Sequence, residues 1–300
     1  MKAMILAAGL GTRLRPLTLN RPKTLMPVVN RPVIYRIIEY LKSHGITSIV
    51  VNAHHHYNQI TEYLDSGRPF GIHIDVTVEP EILGTGGGIK NNEYFWNNAP
   101  FIVINGDILT NLNLQMAYEA HLSSGNLATL VLHDYSRFNQ IKINSHSIIT
   151  DISDKSEPGR FAFTGIHIIE PSLPDYIKKG VFSNIIDCYR ELIQRGKLIG
   201  AYVVKGHYWR DIGTIKNYIL ANKEMLHGNP FNVHYDSHIH SSAGLHEWAV
   251  IGEKACLEED VEIRRSILWE GVTVKKGVKI VDSIVLMNKE VCRDLDNEIF

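Results

Sequence analysis

The chain has 300 residues, of which 44% are hydrophobic and 21% are charged, and this is the composition of an ordinary globular protein. Its formal net charge of -1 at pH 7 excludes a broad basic surface that would attract nucleic acid, so phosphate groups must be bound by local Arg, Lys or metal. No apolar run approaches the roughly 20 residues of a membrane span. Three widely separated cysteines indicate neither a disulfide framework nor a metal site, and a reducing cytoplasm is the expected location.

Predicted strands and helices alternate over the first 130 residues. Short apolar runs predict buried strands at residues 3–8, 49–52, 72–78, 101–104 and 128–132. Apolar residues at helical spacing predict helices at residues 33–44, 57–64 and 114–123. This alternation is typical of an α/β fold with a doubly wound, mostly parallel, Rossmann-like sheet.

The pattern changes to short strands in the middle of the chain, at residues 140–144, 148–152 and 161–169. These are expected to be antiparallel additions that carry substrate contacts. A helix at 184–195, a strand at 198–204 and a helix at 215–226 then follow. The sequence therefore predicts a first domain over residues 1–230.

After residue 230 a small or branched residue recurs near every sixth position, at Ala255, Val261, Ile267, Val272, Val278 and Ile284. A six-residue period with branched inward residues is typical of a parallel β-helix. A β-meander of alternating strands is the alternative. Residues 231–300 are thus expected to form a short second domain, and a β-helix of so few coils is expected to be capped by the main domain or by another subunit of a homo-oligomer.

A glycine-rich loop follows the first predicted strand, with the sequence Gly9-Leu10-Gly11-Thr12-Arg13-Leu14-Arg15-Pro16. A strand that runs into a glycine turn exposes successive backbone N–H groups, which suit a polyphosphate. Position 14 is Leu14 where a dinucleotide-binding motif needs glycine, and the GK[ST] of a P-loop is absent. Arg13 and Arg15 add guanidinium groups that can bind phosphate oxygens in pairs. The alternative interpretation of these residues is an ordinary glycine turn with arginines on the surface.

A second segment, residues 21–32, contains three prolines around Lys23. A stiff loop lowers the entropy cost of bringing a lysine to a phosphate. Alone, the segment is more typical of a proline-rich surface connector. Together, the two segments closely resemble the opening of the sugar-1-phosphate nucleotidyltransferases, the nucleoside-diphosphate-sugar pyrophosphorylases.

The resemblance covers nearly the whole chain. Residues 79–89 are similar to the second glycine segment of the family, residues 105–107 and 209–214 to its two metal-binding segments, and 163–166 to its sugar-facing strand. The C-terminal repeat, with residues 266–271, is similar to the left-handed β-helix of mannose-1-phosphate guanylyltransferases. The resemblance implies a nucleotidyltransferase type A-like fold, Mg²⁺ as cofactor, and a nucleoside triphosphate and a sugar-1-phosphate as substrates.

The same resemblance implies the site residues. The nucleotide is expected to contact Leu6, Ala8, Gly9, Gly11, Thr12, Arg13, Glu79, Gly84 and Thr85. The sugar phosphate is expected at Gly106, Lys155, Thr164 and Gly165, and the metal at Asp107 and Asp211. Arg13 would stabilise charge on the transferring and leaving phosphates, Lys23 would hold the α-phosphate region, and Lys155 would bind the sugar phosphate. Many members have Glu-Lys-Pro around this last lysine, whereas this chain has Asp154-Lys155-Ser156.

The base is predicted from Glu79, which aligns with a position where many uridylyl- and thymidylyltransferases use Gln. Guanine presents two N–H donors side by side, and a carboxylate accepts both. GTP is therefore expected, with mannose-1-phosphate or a related hexose or heptose phosphate as acceptor. A uridylyltransferase is the alternative within the class. A non-catalytic regulatory subunit is the alternative of another class. Such chains usually lose a loop cation or a metal aspartate, whereas this chain keeps two of each: Arg13, Lys23, Asp107 and Asp211.

Overall fold

The computed structural model describes all 300 residues, Met1–Phe300. The chain divides into two compact units that interleave along the sequence. The first unit consists of Met1–Leu10, Arg21–Thr24 and Ile34–Arg210, and the second of Gly11–Asn20, Leu25–Val33 and Asp211–Phe300. The domain boundary expected after residue 230 stays a prediction. No helix combines the length and the apolar character that crossing a bilayer requires.

A seven-stranded sheet is the centre of the first unit. From one edge to the other its strands are Ile199–Val203, Ala128–His133, Ala162–Ile169, Phe101–Asn105, Lys2–Leu6, Ser48–Ala53 and His73–Val78. Every pairing is parallel except the two made by Ala162–Ile169. The predicted α/β fold with a mostly parallel sheet is confirmed, and the antiparallel strand falls in the region where the pattern of the sequence changed.

The apolar runs are strands because both of their faces are covered. All six residues of Ala128–His133 are buried, as are the first four of Phe101–Asn105. A parallel strand between two helical layers buries both faces and therefore has no alternation of apolar and polar residues. The core of this unit includes Met4, Val103 and Leu130. Strand ends in such a sheet meet at one edge, where polar residues are free to line a site.

Six α-helices are present: α1 (Val33–Ser43), α2 (Tyr57–Leu64), α3 (Gly84–Asn91), α4 (Leu114–Leu122), α5 (Ile185–Gln194) and α6 (Ile215–Glu224). Three of them begin where a side-chain oxygen accepts a backbone N–H of the first turn, at Asn113, Asn184 and Thr214. The sequence predicted every helix but α3. Three consecutive glycines, Gly86, Gly87 and Gly88, lie inside α3, and glycine costs about 1 kcal/mol relative to alanine in a helix interior.

The remaining elements are short. Single 3₁₀ turns are Thr12–Leu14, Lys23–Leu25, Asp65–Phe70, Glu93–Phe95 and Leu173–Tyr176. Short strands are Pro27–Val28, Arg31–Pro32, Ile108–Thr110, Ile141–Ile143, Ile149–Ile152 and Trp209–Asp211. The predicted strands near 140 and 150 pair antiparallel, as expected.

The second unit contains two sets of parallel strands. One set runs Phe231–Val233, Gly244–Ile251, Glu262–Leu268, Lys279–Val281 and Leu295–Asp296, with Ile284–Val285 also paired to the third strand. The other runs His238–Ile239, Cys256–Leu257, Thr273–Val274 and Glu290–Val291. Parallel pairing throughout excludes the β-meander and is consistent with a β-helix.

The side chains of this repeat are sorted as the six-residue period predicted. The six residues of the predicted inward row are at most 5% exposed. Hydrogen-bonded residues on neighbouring coils are 17 or 18 positions apart, which corresponds to about three six-residue sides per turn. The left-handed sense of the coil stays a prediction.

Candidate active site

A cleft of about 200 Å³ opens in the first unit, where the adjacent strands Lys2–Leu6 and Phe101–Asn105 reach their carboxyl ends. Its lining combines the first glycine turn, the proline-rich segment, the start of α3 and the end of the neighbouring strand. The lining residues are Leu6, Ala7, Ala8, Gly9, Lys23, Thr24, Asn52, Ile82, Gly84, Thr85, Asn105, Gly106 and Asp107. Nine of the residues singled out from the sequence thus meet in one cavity: Leu6, Ala8, Gly9, Lys23, Gly84, Thr85, Gly106 and Asp107, with Asn105 of the 105–107 motif.

Two positions in the cleft, 9 and 106, are occupied by glycine for different physical reasons. A Cβ on Gly9 would meet no atom within 4 Å, so the fold itself leaves that space open. A Cβ on Gly106 would lie 2.7 Å from the carbonyl oxygen of Leu6 and 2.8 Å from Thr24 Cγ2. The Gly106 N–H donates to that same carbonyl at 2.9 Å, which joins the two strand ends. Gly106 is therefore needed for packing, and Gly9 keeps room for a ligand.

Lys23 and Asp107 form an ion pair inside the cleft. Their side chains are 14% and 21% exposed, so water screens the pair less than it would at the surface. Lys23 lies in the 3₁₀ turn Lys23–Leu25, and Asp107 is the second residue after strand Phe101–Asn105. The predicted phosphate-binding cation and the predicted metal ligand are thus direct neighbours.

Asp107 fits a divalent cation better than Asp211 does. Its carboxylate is partly exposed and already holds one cation, the Lys23 ammonium, and carboxylate oxygen is the donor that Mg²⁺ prefers. Asp211 belongs to the second unit, where its two oxygens accept from the Gly213 N–H at 3.0 Å and from Asn217 Nδ2 at 2.8 Å. A shared metal on both aspartates stays a prediction.

Glu79 is held by hydrogen bonds inside the protein, and its expected contact with the base stays a prediction. Its side chain belongs to a residue only 1% exposed, and one oxygen accepts from Asn52 Nδ2 at 2.7 Å while the other accepts from the Leu83 N–H at 3.0 Å. Asn52 Oδ1 in turn accepts from the Ala7 N–H at 2.8 Å. Each carboxylate oxygen therefore has a partner inside the protein, and these hydrogen bonds tie the second glycine segment to the first.

The glycines of α3 allow close approach on two sides. A Cβ on Gly84, which has φ +72°, would lie 2.5 Å from the Ser183 carbonyl oxygen, and one on Gly88 would lie 2.7 Å from Asn52 Nδ2. Thr85 Oγ1 accepts from the Ile185 N–H at 2.9 Å and so caps the start of α5. The segment expected to cover base and ribose is thus held on both sides, with Gly84 and Thr85 facing the cleft.

The residues predicted to bind the sugar phosphate differ in burial and in their distance from the cleft. Gly165, with φ +80°, lies against Asn105: a Cβ there would be 2.8 Å from Asn105 Nδ2. Thr164 is fully buried, and its hydroxyl donates to the Val131 carbonyl at 2.8 Å. Lys155 is exposed on a loop and does not line the cleft. The roles of Thr164 and Lys155 at the sugar phosphate stay predictions.

Part of the glycine loop belongs to the second unit. The carbonyl of Gly11 accepts from the Leu14 N–H and from Thr18 Oγ1, both at 2.9 Å, so the turn is closed by its own residues. Thr12 and Arg13 are exposed on it. Their contacts with a nucleotide stay predictions.

Sequence reasoning missed the cleft residue Asn52, and it included Asn105 only as part of the 105–107 motif, with no role of its own. Asn52 is 2% exposed within the apolar strand Ser48–Ala53, and Asn105 ends strand Phe101–Asn105. A polar amide at the carboxyl end of an apolar run was the available signal, because these ends meet at the ligand-binding edge of a parallel sheet.

A second cavity of about 350 Å³ lies at the carboxyl ends of strands Ala128–His133 and Ile199–Val203, in the same unit. Its lining includes His133, Tyr135, Lys205, His207 and Trp209. Burial lowers the pKa of His133 to about 4, and the neighbouring His207 acts in the same direction. The cavity is thus lined by aromatic rings and a neutral imidazole.

Comparison with known proteins agrees with this geometry. The profile of the family described as Nucleotidyl transferase matches residues 2–228. The UTP–glucose-1-phosphate uridylyltransferase of Synechocystis sp. is 30% identical over 94% of this chain and 77% of its own length. The mannose-1-phosphate guanyltransferase of Debaryomyces hansenii is 29% identical over 97% of this chain and 87% of its own.

Among solved structures, one from Bacillus anthracis, provisionally described as a glucose-1-phosphate thymidylyltransferase and complexed with a sucrose, is 27% identical. It superposes with a TM-score of 0.67 and covers 75% of this chain and 94% of that one. These three proteins are named for three different bases, whereas the family match spans most of the chain and the whole cleft. The chain therefore belongs to the Nucleotidyl transferase family of enzymes.

Proposed function

We propose that this enzyme transfers a nucleoside monophosphate from GTP to mannose-1-phosphate or a related hexose or heptose phosphate, giving the nucleoside-diphosphate sugar and pyrophosphate. The observation that carries the transfer is the Lys23–Asp107 pair in a cleft at the ends of two adjacent parallel strands. The guanyltransferase relative, which matches 97% of this chain, supports the base and the sugar.

The reaction requires anions to meet. An oxygen of the sugar phosphate attacks the α-phosphorus, the new P–O bond forms, and the bond to pyrophosphate breaks. The nucleophile is already ionised, so no general base is required, and the barrier is lowered by positioning and by neutralising charge. Lys23 supplies a fixed ammonium group in the cleft, and the open space at Gly9 admits phosphate oxygens to the end of strand Lys2–Leu6.

Asp107 would hold Mg²⁺, with Asp211 as the second proposed ligand. When bound, the ion would neutralise phosphate charge and polarise the P–O bonds. Arg13 and Lys155 are the further cations proposed for the leaving pyrophosphate and the sugar phosphate. Both are exposed, so neither must leave a buried partner in order to reach a substrate.

UTP with glucose-1-phosphate is the second candidate pair. The uridylyltransferase relative is 30% identical over 94% of the chain, and both oxygens of the buried Glu79 already accept hydrogen bonds within the protein, which weakens the argument for guanine. A panel of the four nucleoside triphosphates against mannose-1-phosphate and glucose-1-phosphate, followed by pyrophosphate release, separates the two. Turnover of GTP with mannose-1-phosphate is expected, and turnover with UTP alone would contradict the proposed base.

We also propose a homo-oligomer formed through a left-handed C-terminal β-helix, working in the cytoplasm. The outer strands Phe231–Val233 and Leu295–Asp296 are edges of their sheet, and exposed edges are surfaces on which other chains pair. Light scattering on the intact protein measures the state directly, and a monomer at all concentrations would contradict the proposal.

A further inference from the structure

The loop on both sides of Lys23 is held by the C-terminal part of the chain. Gly11–Asn20 and Leu25–Val33, here called the loop segments, form one compact unit with Asp211–Phe300. Lys23 lies in the chain between them, and Arg13 lies within the first. The cations proposed for the triphosphate are therefore on, or directly connected to, a backbone whose contacts come from α6 and from the β-helix.

The first contact is a chain of two hydrogen bonds through Tyr218 of α6. Its hydroxyl donates to the carbonyl of Pro27 at 2.6 Å and accepts from Trp269 Nε1 at 2.9 Å. Tyr218 is fully buried and Trp269 is 2% exposed. Trp269 directly follows strand Glu262–Leu268 of the β-helix, so the relay begins in a coil of that repeat and ends four residues from Lys23 in the sequence.

The second contact involves the next residues of the loop. The Val29 N–H donates to Asn222 Oδ1 at 2.9 Å, and Asn222 is oriented by donating to the Tyr218 carbonyl at 3.0 Å. Asn30 Nδ2 donates to the Ile251 carbonyl at 2.7 Å. Val29 and Asn30 have φ of +48° and +57°, a region that a β-branched residue rarely adopts. Such a backbone persists only where its surroundings fix it.

We propose that Tyr218 and Trp269 are positioning residues of the triphosphate site, so that the β-helix is a working part of nucleotide binding as well as a surface for other chains. This inference rests on the proposed role of Lys23. Neither side chain needs to touch substrate, because each acts by holding Pro27 and thereby the backbone that continues to Lys23.

Tyr218→Phe tests the relay because it removes one oxygen that makes both hydrogen bonds and leaves the ring in place. Tyr40→Phe is the matched control: the Tyr40 hydroxyl also donates to a backbone carbonyl, that of Leu112, at 2.7 Å, but in the first unit. Trp269→Phe is a second variant that removes the indole donor together with part of the buried ring, so it is compared with its own urea unfolding. The readouts are hydrogen exchange of residues 25–33 and the KM values for GTP, for UTP and for the sugar phosphates.

The expected result is faster exchange of residues 25–33 in Tyr218→Phe, with the KM for the triphosphate raised at least about fivefold, the effect of one of the two lost hydrogen bonds. The KM for the sugar phosphate stays constant, and Tyr40→Phe changes neither quantity. The inference is overturned, and the proposed function is not, if hydrogen exchange of residues 25–33 is unchanged in Tyr218→Phe. The same holds if exchange is faster but the triphosphate KM equals that of Tyr40→Phe. An unchanged triphosphate KM in Lys23→Met would instead overturn the role of Lys23 and the inference with it.

Discussion

The substitution Asp107→Asn should lower catalytic activity strongly while changing the stability of the protein little. The substitution keeps the shape of the side chain and removes the charge that holds Lys23 and would hold the metal. Removing one charge-stabilising contact of a preorganised site typically costs about 3–4 kcal/mol of barrier, or about 10²–10³ in kcat. Asp107→Ala, which removes the oxygens as well, should abolish turnover.

The loss in free energy of unfolding should be smaller than the loss in activation free energy. Its size follows from how exposed the Lys23 and Asp107 side chains are. Lys23 and Asp107 are 14% and 21% exposed, so their charge-assisted hydrogen bond contributes about 1.5–3 kcal/mol at most. Asn still offers an oxygen to the ammonium, which leaves a loss of about 1 kcal/mol. The ion pair of Asp65 with Arg68 is the control, since their side chains are 43% and 82% exposed and such pairs contribute about 0–1 kcal/mol.

The assay is pyrophosphate release with the best triphosphate of the panel over a range of Mg²⁺ concentrations, beside urea unfolding of each variant. We expect Asp107→Asn to lose at least a hundredfold in kcat while unfolding close to the wild type, and Asp65→Asn to change neither quantity. Activity of Asp107→Asn within fivefold of the wild type at the same Mg²⁺ concentration would refute the assignment of this carboxylate.

Three further predictions concern neighbouring features. Glu79→Gln should lower the free energy of unfolding by about 1–3 kcal/mol, since a side-chain amide has one acceptor oxygen and cannot accept from both Asn52 and Leu83 as the carboxylate does, while the GTP-to-UTP ratio of kcat/KM should move toward one; a ratio that reverses would indicate a direct contact with the base. Gly9→Ala should reduce kcat/KM without changing urea unfolding, whereas Gly88→Ala, whose Cβ would be 2.7 Å from Asn52 Nδ2, should cost about 1–3 kcal/mol of stability; equal stability losses would contradict this contrast. Burial lowers the pKa of His121 and His133 to about 4 and of His167 to about 3, so between those values and about 6.5 the unfolded chain binds protons that the folded chain does not, and stability should fall by up to about 1.4 kcal/mol per histidine for each pH unit below 6.5; pH-independent urea midpoints between pH 7 and 5 would disprove it.

The fold could be predicted where one physical cause dominates. Strand Ala128–His133 is buried on both faces and is therefore a continuous apolar run, and the β-helix repeats one inward residue per side. Helix α3 could not be predicted, because its stability comes from contacts that glycine permits rather than from helix propensity. The interleaved units were equally out of reach, since long-range contacts of the loop segments leave no local pattern.

The resemblance to the nucleotidyltransferases predicted which residues line the site, but it did not predict their hydrogen-bond partners. Lys23 and Asp107 meet, although 84 residues separate them in the chain. The partners of Glu79 could not be predicted, because the sequence does not show which way a side chain points after a strand ends. Its carboxylate is directed toward Asn52, a buried amide in a strand that otherwise reads as core, and only the three-dimensional structure brings these two residues together.

The buried Glu79 changes where base specificity should be sought. A carboxylate that accepts from Asn52 and Leu83 can act on the base only by placing the backbone around it, because its oxygens are not exposed. The cleft surface beside it is formed by Ile82, Gly84 and the strand end, which present mainly backbone groups and apolar atoms. Backbone N–H and C=O groups can distinguish bases only if they are held rigidly, since a mobile loop would adapt to either partner. The hydrogen bonds from Ala7 through Asn52 and Glu79 to Leu83 supply that rigidity, and substitutions that loosen them should broaden the choice of base rather than reverse it.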